Sequence, residues 1–291
     1  MVGGERKVLT ESRTADILAT GVVTPFGLHM SSGWQDVYTV VLVVSMLLLG
    51  VFAIRLAVRE HDLLPIALLA GGALCTVLEP LVDVLGLCWY PRYGQVHLFE
   101  TFGRPIPVYV LFGYTWFMGG LTIVAYRLLQ TKGPDVLLRL YPLLILVEAP
   151  FELLAVHTQV YVYYGDQPLS LWAWPIWWGF VNTAVPIVAA VLFWTFHGEL
   201  SGWRLALVVP VLIMVDAGVN AAAGWPVWTV LHASTPTAVR QLAGVATCLL
   251  GLLLVGAAVA LGRKALLYRS FDVSSDQPIQ IRGVSSVRSA I

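Results

Sequence analysis

Seven long apolar stretches limit the folds open to this chain more than any other feature of its sequence. The hydrocarbon core of a bilayer is about 30 Å thick, and roughly 20 apolar residues of α-helix cross it. The stretches begin near Val37, Leu63, Pro107, Leu137, Leu171, Leu205 and Thr237, and they end near Val58, Trp89, Leu129, Val160, Phe196, Ala223 and Leu261. This pattern predicts an all-α membrane protein, a seven-transmembrane helical bundle.

The segments outside these stretches are polar. Residues 1–36 contain neither a long apolar run behind a basic start nor a clear small-residue cleavage site. We therefore expect a polar N-terminal arm and not a removed signal peptide. Residues 37–261 form the predicted transmembrane domain. Residues 262–291 end in a Ser-rich, aperiodic segment, and we expect a disordered cytoplasmic tail there.

Basic residues are concentrated in alternate loops, and short loops rich in Lys and Arg stay on the cytoplasmic side of a membrane. One predicted side carries Arg55, Arg59, Arg127, Lys132, Arg139, Arg204, Arg263, Lys264 and Arg269, and the other carries Arg92, Arg104 and Arg240. We therefore expect the N-terminus outside and the C-terminus inside. Aromatic residues at the outer ends of three helices predict an interfacial belt. They are Trp89, Tyr90, Tyr93, Tyr161, Tyr163, Tyr164, Trp172 and Trp174.

The charge balance excludes some partners. Seventeen basic residues match seventeen acidic ones, so there is no basic surplus to hold a nucleic-acid backbone. The partners that we expect are membrane lipid and a lipophilic small molecule, and the sequence identifies no protein partner. The richness in Arg, Ala, Val, Gly and Leu is typical of GC-rich bacterial genomes. We therefore expect a multi-pass protein of a bacterial plasma membrane.

Carboxylic acids lie inside three of the predicted helices, where a charged side chain costs at least roughly 2.5 to 3.5 kcal/mol. They are Glu79 and Asp83 in the second helix, Glu148 and Glu152 in the fourth, and Asp216 in the sixth, with Asn220 one turn later. The members of each pair are four residues apart and so share one face of their helix. We expect the three faces to point at one cavity.

The spacing of these acids indicates an internal repeat. Glu79, Glu148 and Asp216 are 69 and 68 residues apart, and each is followed four positions later by Asp83, Glu152 or Asn220. Pro107 and Pro175, at an offset of 68, precede the next helices. We expect a helical-hairpin repeat that is clear twice and degenerate a third time. In transporters built from repeats, the substrate site lies at the repeat interface near the middle of the membrane.

No Arg or Lys lies in the middle of a predicted helix to neutralise the acids. Several like charges in one site of low dielectric constant cannot all be ionised, so at least one or two acids are expected to be protonated. A neutral carboxylic acid in an apolar, aromatic pocket is a proton donor. A structural interpretation stays open beside this one, in which the acids accept hydrogen bonds from side chains such as Tyr114, Trp116 and Asn182.

Several membrane chemistries have signatures that this sequence lacks. It has no DDxxD or NDxxD pair to hold magnesium and diphosphate, no HxxxH or HxxHH spacing, and no Lys within a predicted span. These absences argue against diphosphate-ionising cyclases, di-iron desaturases, zinc proteases and a retinal Schiff base. We expect no metal and no cofactor. In the outer loop, His97 and Glu100 are interpreted either as an acid–base pair or as solvated loop residues.

The buried acids and the aromatic residues near them favour an intramembrane enzyme that protonates an alkene or epoxide of a lipophilic, prenylated substrate. Such a reaction needs a shielded acid, aromatic faces for carbocations, and an acceptor for the last proton. The catalytic candidates are Glu79, Asp83, Glu148, Glu152 and Asp216. The substrate-binding candidates are Tyr114, Trp116, Trp178, Asn182 and Asn220, and Trp177 and Phe180 are further candidates for the wall.

With its acids in LEPLVD and LIMVDAGVN, the chain resembles the small seven-helix membrane-bound terpene cyclases of meroterpenoid and indole-sesquiterpene pathways. The resemblance implies class II-type, metal-independent cyclisation started by paired acids. It does not identify the acid that starts the reaction. A looser likeness links Pro150 and Glu152 in EAPFELL to the proline–acid motif of bacterial carotenoid cyclases, although the run of phenylalanines that follows there is absent. Membrane sterol isomerases are similar in chemistry only.

Two other function classes stay open. In a proton-coupled transporter the same acids would be relay or ion sites. Against this class, Gly and Pro do not interrupt two helices at corresponding positions, apart from Pro175 and Pro186 and the segment Gly224 to Pro226. An accessory membrane subunit would expose a small-residue face such as GxxxG, and the glycine pairs present do not have that spacing.

Overall fold

The computed structural model describes residues 22–275, and it is mostly helical. Nine α-helices follow one another along the described chain. They are α1 (Ser32–Glu60), α2 (Leu64–Cys75), α3 (Glu79–Gly86), α4 (Val108–Tyr114), α5 (Leu121–Lys132), α6 (Val136–His157), α7 (Ile176–Thr195), α8 (Val208–Leu231) and α9 (Thr237–Ser275). Residues 1–21 and 276–291, which include most of the predicted arm and the end of the predicted tail, lie outside the described residues.

Six helical segments of the described chain are long and apolar enough to cross a membrane. They are Ser32–Glu60, Leu64–Gly86, Val108–Lys132, Ile176–Thr195, Gly202–Leu231 and Thr237–Tyr268. The prediction of a helical multi-pass membrane protein is thereby confirmed at this level. The remaining predicted span forms the 22-residue helix α6, which is not one of the six.

Two of these segments are not regular α-helix throughout. A 3-10 turn at Thr76–Leu78 joins α2 to α3, and a π-helical segment at Thr115–Gly120 joins α4 to α5. The two segments also approach each other closely, because a Cβ at Gly72 would lie 2.4 Å from the backbone nitrogen of Gly119. Only glycine permits that approach. Mid-helix π segments occur frequently at functional sites.

Three short antiparallel strand pairs cover one end of the bundle. Strand β2 (His97–Thr101) pairs with β3 (Arg104–Pro107), and β5 (Ser170–Leu171) pairs with β6 (Trp174–Pro175). Strand β1 (Cys88–Trp89) pairs with β4 (Val162–Tyr163) and so connects the chain after α3 to the chain after α6.

The structure corrects two predicted starts. Helix α1 begins at Ser32, inside the predicted arm, and its buried Gln35 accepts a hydrogen bond from the Val96 backbone N–H at 2.6 Å. The fifth helix begins at Ile176 and not at Leu171, because the residues between them form the β5–β6 hairpin.

Two predicted ends are also wrong. Helix α8 continues past Ala223 and through Pro226 to Leu231. The predicted disorder from residue 262 is contradicted as far as Ser275, where α9 ends. No Gly or Pro stops α9 between residues 263 and 275, and its Arg263 forms an ion pair with Asp135 at 2.7 Å.

The half of the bundle away from the strands is packed with apolar side chains. The largest cluster of buried residues includes Leu64, Leu68, Leu129, Leu137, Ile187 and Leu212. The aromatic residues of the predicted interfacial belt differ in exposure. Trp89, Tyr90 and Trp174 are buried, whereas Tyr93 and Trp172 are exposed, Trp172 by 80%. The buried rings pack the end of the bundle that the strand pairs cover.

Candidate functional site

A cavity lies in the strand-covered half of the bundle, between α1, α3, α4, α6, α7 and α8. It contains about 1010 Å³ of space free of atoms, part of which is open to the surroundings. Four of the five predicted catalytic acids line it, namely Glu79, Asp83, Glu148 and Glu152. The fifth, Asp216, is buried beside the cavity, and Asn220 one turn later in α8 lines it.

Glu79 is held by two phenols. The Tyr90 hydroxyl donates to its Oε1 at 2.6 Å, and the Tyr114 hydroxyl donates to its Oε2. Glu79 is the first residue of α3, directly after the 3-10 turn that breaks this helical segment. The turn and the two phenols thus fix the position of this carboxyl group.

Glu152, on α6, also has a phenol partner. The Tyr163 hydroxyl donates to its Oε2 at 2.9 Å, and the Tyr161 ring contacts the Tyr163 ring, with centroids 5.8 Å apart. Tyr161 and Tyr90 are in ring contact, with centroids 5.3 Å apart. A row of tyrosines therefore joins Glu79 to Glu152 along one side of the cavity.

Glu148 has a different environment from Glu152, although both lie on α6. The Asn182 side-chain N–H on α7 donates to Glu148 Oε1 at 2.9 Å. Its Oε2 is buried and has no hydrogen-bond partner among the described residues. The Glu148 residue is 4% exposed. This carboxyl group thus has one amide donor and one unpartnered oxygen.

Asp83 lies near a buried cation. Arg104 on β3 is 7% exposed and is close enough for its charge to act on Asp83. The guanidinium donates to the Tyr164 hydroxyl at 2.5 Å and lies over the Trp89 ring, 5.2 Å from its centroid. Asp83 Oδ2 is buried without a hydrogen-bond partner among the described residues.

Asp216 is hydrogen-bonded within its own helix. The Asn220 side-chain N–H donates to Asp216 Oδ1 at 2.9 Å. Asp216 Oδ2 is buried without a partner among the described residues. This acid is thus within electrostatic reach of Glu79 but is set back from the cavity lining.

All five residues expected to bind substrate line the cavity: Tyr114, Trp116, Trp178, Asn182 and Asn220. The ring of Trp178 fits over Gly86, where an added Cβ would lie 2.2 Å from Cζ2 of the indole. Trp177 and Phe180, the further candidates, are not in the lining. Trp177 stacks on Trp178 with centroids 4.2 Å apart, and Phe180 packs edge-on against Tyr141.

Sequence reasoning missed several polar groups of the site. Arg104 was assigned to an outer loop, and the tyrosines were assigned to an interfacial belt. A signal for the tyrosines was present, since Tyr90 and Tyr163 each follow their acid by eleven residues.

The loop pair His97 and Glu100 belongs to the exterior of the β2–β3 hairpin. Arg92 forms two hydrogen bonds with the Glu100 carboxylate, at 2.5 and 2.6 Å, and both side chains are more than a third exposed. These bonds lower the pKa of Glu100 below its ordinary value. Glu100 is thus a partner of Arg92 and not of His97.

Within the described residues, no group of three or more His, Cys, Asp and Glu side chains is arranged to hold a metal ion. Comparison with known proteins gives no match: no protein-family model, no curated protein and no solved structure is significantly similar to this chain.

Proposed function

We propose that this chain is an intramembrane, metal-independent cyclase of a lipophilic prenylated substrate, which it activates by protonating an alkene or epoxide. One observation carries the proposal. Four carboxylic acids from two helices meet around a single cavity whose other polar partners are phenols and amides. This combination supplies proton donors and acceptors together with aromatic faces, and it is suited to a substrate without charge.

The proposed chemistry needs no external oxidant or reductant. A carboxylic acid transfers its proton to one alkene carbon, and the π electrons form the new C–H bond. The carbocation left on the other carbon is attacked by a second double bond, which closes the ring. Tyr114, Trp116 and Trp178 offer π faces to the cation. A carboxylate removes the final proton, and an isomerase would differ only in omitting ring closure.

We further propose seven membrane spans, with α6 as the fourth, the N-terminus outside and the C-terminus inside. The basic residues named above support this orientation, and the Arg-rich composition supports a bacterial plasma membrane. Under this orientation the cavity lies in the outer half of the bilayer.

A helical-hairpin repeat is part of the proposal. The first hairpin unit is 64–132 and the second is 136–195. Each contains a two-residue turn with two positive φ angles, at Phe102 and Gly103 in the first and at Trp172 and Ala173 in the second. This geometry is that of a type I′ hairpin. In each unit a proline in an extended conformation then precedes the next helix.

The hydrogen bonds of the acids support the same repeat. The donor to Glu79 is Tyr114, 35 residues later, and the donor to Glu148 is Asn182, 34 residues later. In both units the second helix therefore holds the acid of the first. Asp216 follows a reduced form of this pattern, because its amide donor Asn220 lies on the same helix.

A proton-coupled transporter is the second candidate, and one observation favours it. The 3-10 turn at Thr76–Leu78 interrupts a predicted span directly before Glu79, and interrupted helices surround ion sites in transporters. The enzyme is favoured because the acids occupy one half of the bundle. The other half is packed with the apolar cluster that includes Leu68 and Leu212.

The deciding experiment offers prenylated substrates to the protein in its membrane. Membranes containing the protein are incubated in heavy water and chelator with farnesylated and geranylgeranylated acceptors and their terminal epoxides. We expect a ring-closed isomer that carries one solvent deuterium for each initiation at an olefin, detected by mass spectrometry. Membranes containing Glu79→Gln are the matched control, because that variant keeps the shape of the side chain.

Two outcomes count against the cyclase. Equal product from the wild type and from every single acid-to-amide variant would remove the acid-initiated mechanism. Absence of any product, combined with proton flux in vesicles that depends on the same acids, would replace the enzyme by the transporter.

A further inference from the structure

The hydrogen-bond donors around the acids divide each pair into two unlike members. Glu79 accepts hydrogen bonds from two phenols and Glu152 accepts one from Tyr163, and neither has a buried unpartnered oxygen among the described residues. Their partners Asp83 and Glu148 each keep one buried oxygen without a hydrogen bond among the described residues. A carboxylate needs donors at both oxygens when it is buried, whereas a carboxylic acid carries a proton of its own on one of them. The donor pattern therefore distinguishes ionised from neutral members.

The two neutral candidates differ in their charged neighbours. The buried cation Arg104 acts on Asp83 and opposes the effects of burial and of the Glu79 charge, which favour the neutral acid. Glu148 has Glu152 as its electrostatic neighbour on the same face of α6. We assign Glu152 as the carboxylate of this pair, so its negative charge acts on Glu148. Asn182, which approaches from α7, is neutral. A negative neighbour and an unpartnered oxygen both favour the neutral form of Glu148.

We propose that Glu148 is the neutral carboxylic acid that donates the initiating proton, and that Glu152 is the carboxylate that receives the last one. The catalytic role rests on the proposed cyclase function, whereas the protonation state does not. The Glu148 side chain lines the cavity together with the aromatic rings of Trp116 and Trp178. The donating acid therefore lies beside the faces that would stabilise a carbocation.

Two side chains of α6 donate and recover the proton of one catalytic cycle. Glu148 Oε2 gives up its proton to an alkene carbon and becomes a carboxylate, and the Asn182 N–H on Oε1 stabilises the new charge. Glu152 takes a proton from the cyclised cation as the new double bond forms. The two side chains are one helical turn apart, so a proton passing from Glu152 to Glu148 restores the starting state.

Infrared spectroscopy of the purified full-length protein tests the protonation state without any substrate. At neutral pH, the wild-type spectrum minus that of Glu148→Gln is expected to contain the C=O stretch of a protonated carboxyl group, shifted to lower frequency in heavy water. The matched control is Glu152→Gln, one turn away in the same cavity. Its difference spectrum is expected to contain carboxylate stretches instead.

The reverse assignment of the two spectra would overturn the proposal. If Glu148→Gln does not fold, Asn182→Leu in the otherwise intact protein tests the same carboxyl group. Loss of the amide donor is expected to shift the Glu148 C=O stretch to higher frequency, and an unchanged band would overturn the assignment. A protein with the expected spectra and no turnover would instead contradict the cyclase function alone.

Discussion

The first and second hairpin units place an acid pair at matching positions, yet only the first has a buried basic side chain among its described residues. In 64–132, Arg104 enters the end of the bundle and acts on Asp83. In 136–195, Arg139 and His157 are both exposed. The acid pairs of the two units thus lie in different electrostatic environments, although the backbones of the units are similar.

In the proposed repeat, this difference would give the two units separate roles. A buried cation stabilises a carboxylate, and its absence favours the neutral acid. We therefore expect Arg104 to favour the carboxylate of Asp83 in the first unit, and we expect the second unit to exchange protons.

The largest expected effect is on turnover. Glu148→Gln removes the proposed proton donor, and we expect kcat to fall by roughly 100- to 10,000-fold, the usual contribution of general acid catalysis. Asp83→Asn, in the first unit, is expected to cause a smaller fall because Asp83 is not the proposed proton donor. The measurement is product formation by mass spectrometry with the substrate that the panel identifies.

The Glu148→Asp variant keeps the proton at a shorter reach, so it is expected to recover part of the lost activity. If Asp83→Asn loses as much turnover as Glu148→Gln, or more, the two units do not have the different roles that we propose.

The second prediction concerns packing. Gly72 and Gly119 allow the two helical segments of the first unit to touch, whereas the second unit has Tyr141 and Ile187 at the corresponding offsets of 69 and 68. A methyl group at Gly72 meets backbone atoms, so Gly72→Ala is expected to lower the free energy of unfolding by about 1–3 kcal/mol, as overpacking does. Thermal unfolding in detergent measures the change.

Gly113→Ala is the matched control in the same unit. The nearest atom to its added Cβ is Leu42 Cδ1 at 3.6 Å, an ordinary contact. This variant should be as stable as the wild type or slightly more stable, because Ala favours helix over Gly. Equal destabilisation by the two variants would show that close packing at Gly72 is not the cause.

The positions of the helices were largely predictable from the sequence. Apolar length locates spans, since a helix in lipid must satisfy its own backbone hydrogen bonds. The errors fall where tertiary contacts override that rule, as at the β5–β6 hairpin, whose residues continue the apolar run before Ile176. The extension of α9 to Ser275 shows the same limit, because absence of periodicity does not prevent helix formation.

Much of the candidate site was also predictable, because buried acids four residues apart must share a face. Their partners were not. Arg104 lies two residues before Ile106 in a polar loop, and only the pairing of β2 with β3 turns it towards the bundle. A sequence pattern along one helix contains no information about a side chain that arrives from a hairpin 21 residues after Asp83.

The third prediction removes the cation of the first unit. Arg104→Gln removes the hydrogen bond to the Tyr164 hydroxyl and the contact with the Trp89 ring. We expect the free energy of unfolding to fall by roughly 1–3 kcal/mol, the range for losing a buried hydrogen-bond partner. Arg139→Gln in the second unit is expected to change it little because Arg139 is exposed. Denaturant unfolding in detergent measures both.

The double variant Arg104→Gln with Asp83→Asn sharpens this test. If the two side chains interact, removing both should cost less than the sum of the single effects. Additive effects would show that Arg104 acts through its aromatic contacts and not through the charge of Asp83.

The smallest expected effect is at the surface of the first unit. The β2–β3 hairpin has the Arg92–Glu100 ion pair, and its side chains are 37% and 39% exposed. Solvent screens such pairs, so Glu100→Gln is expected to lower the free energy of unfolding by about 1 kcal/mol or less at neutral pH. Because the pKa of Glu100 is lowered in the folded protein, this contribution is present above the ordinary pKa of 4.5 and is lost as pH falls through the lowered folded pKa. Unfolding of the wild type and the variant at decreasing pH should therefore converge, and a difference that persists in acid would contradict the assignment of Glu100 to Arg92.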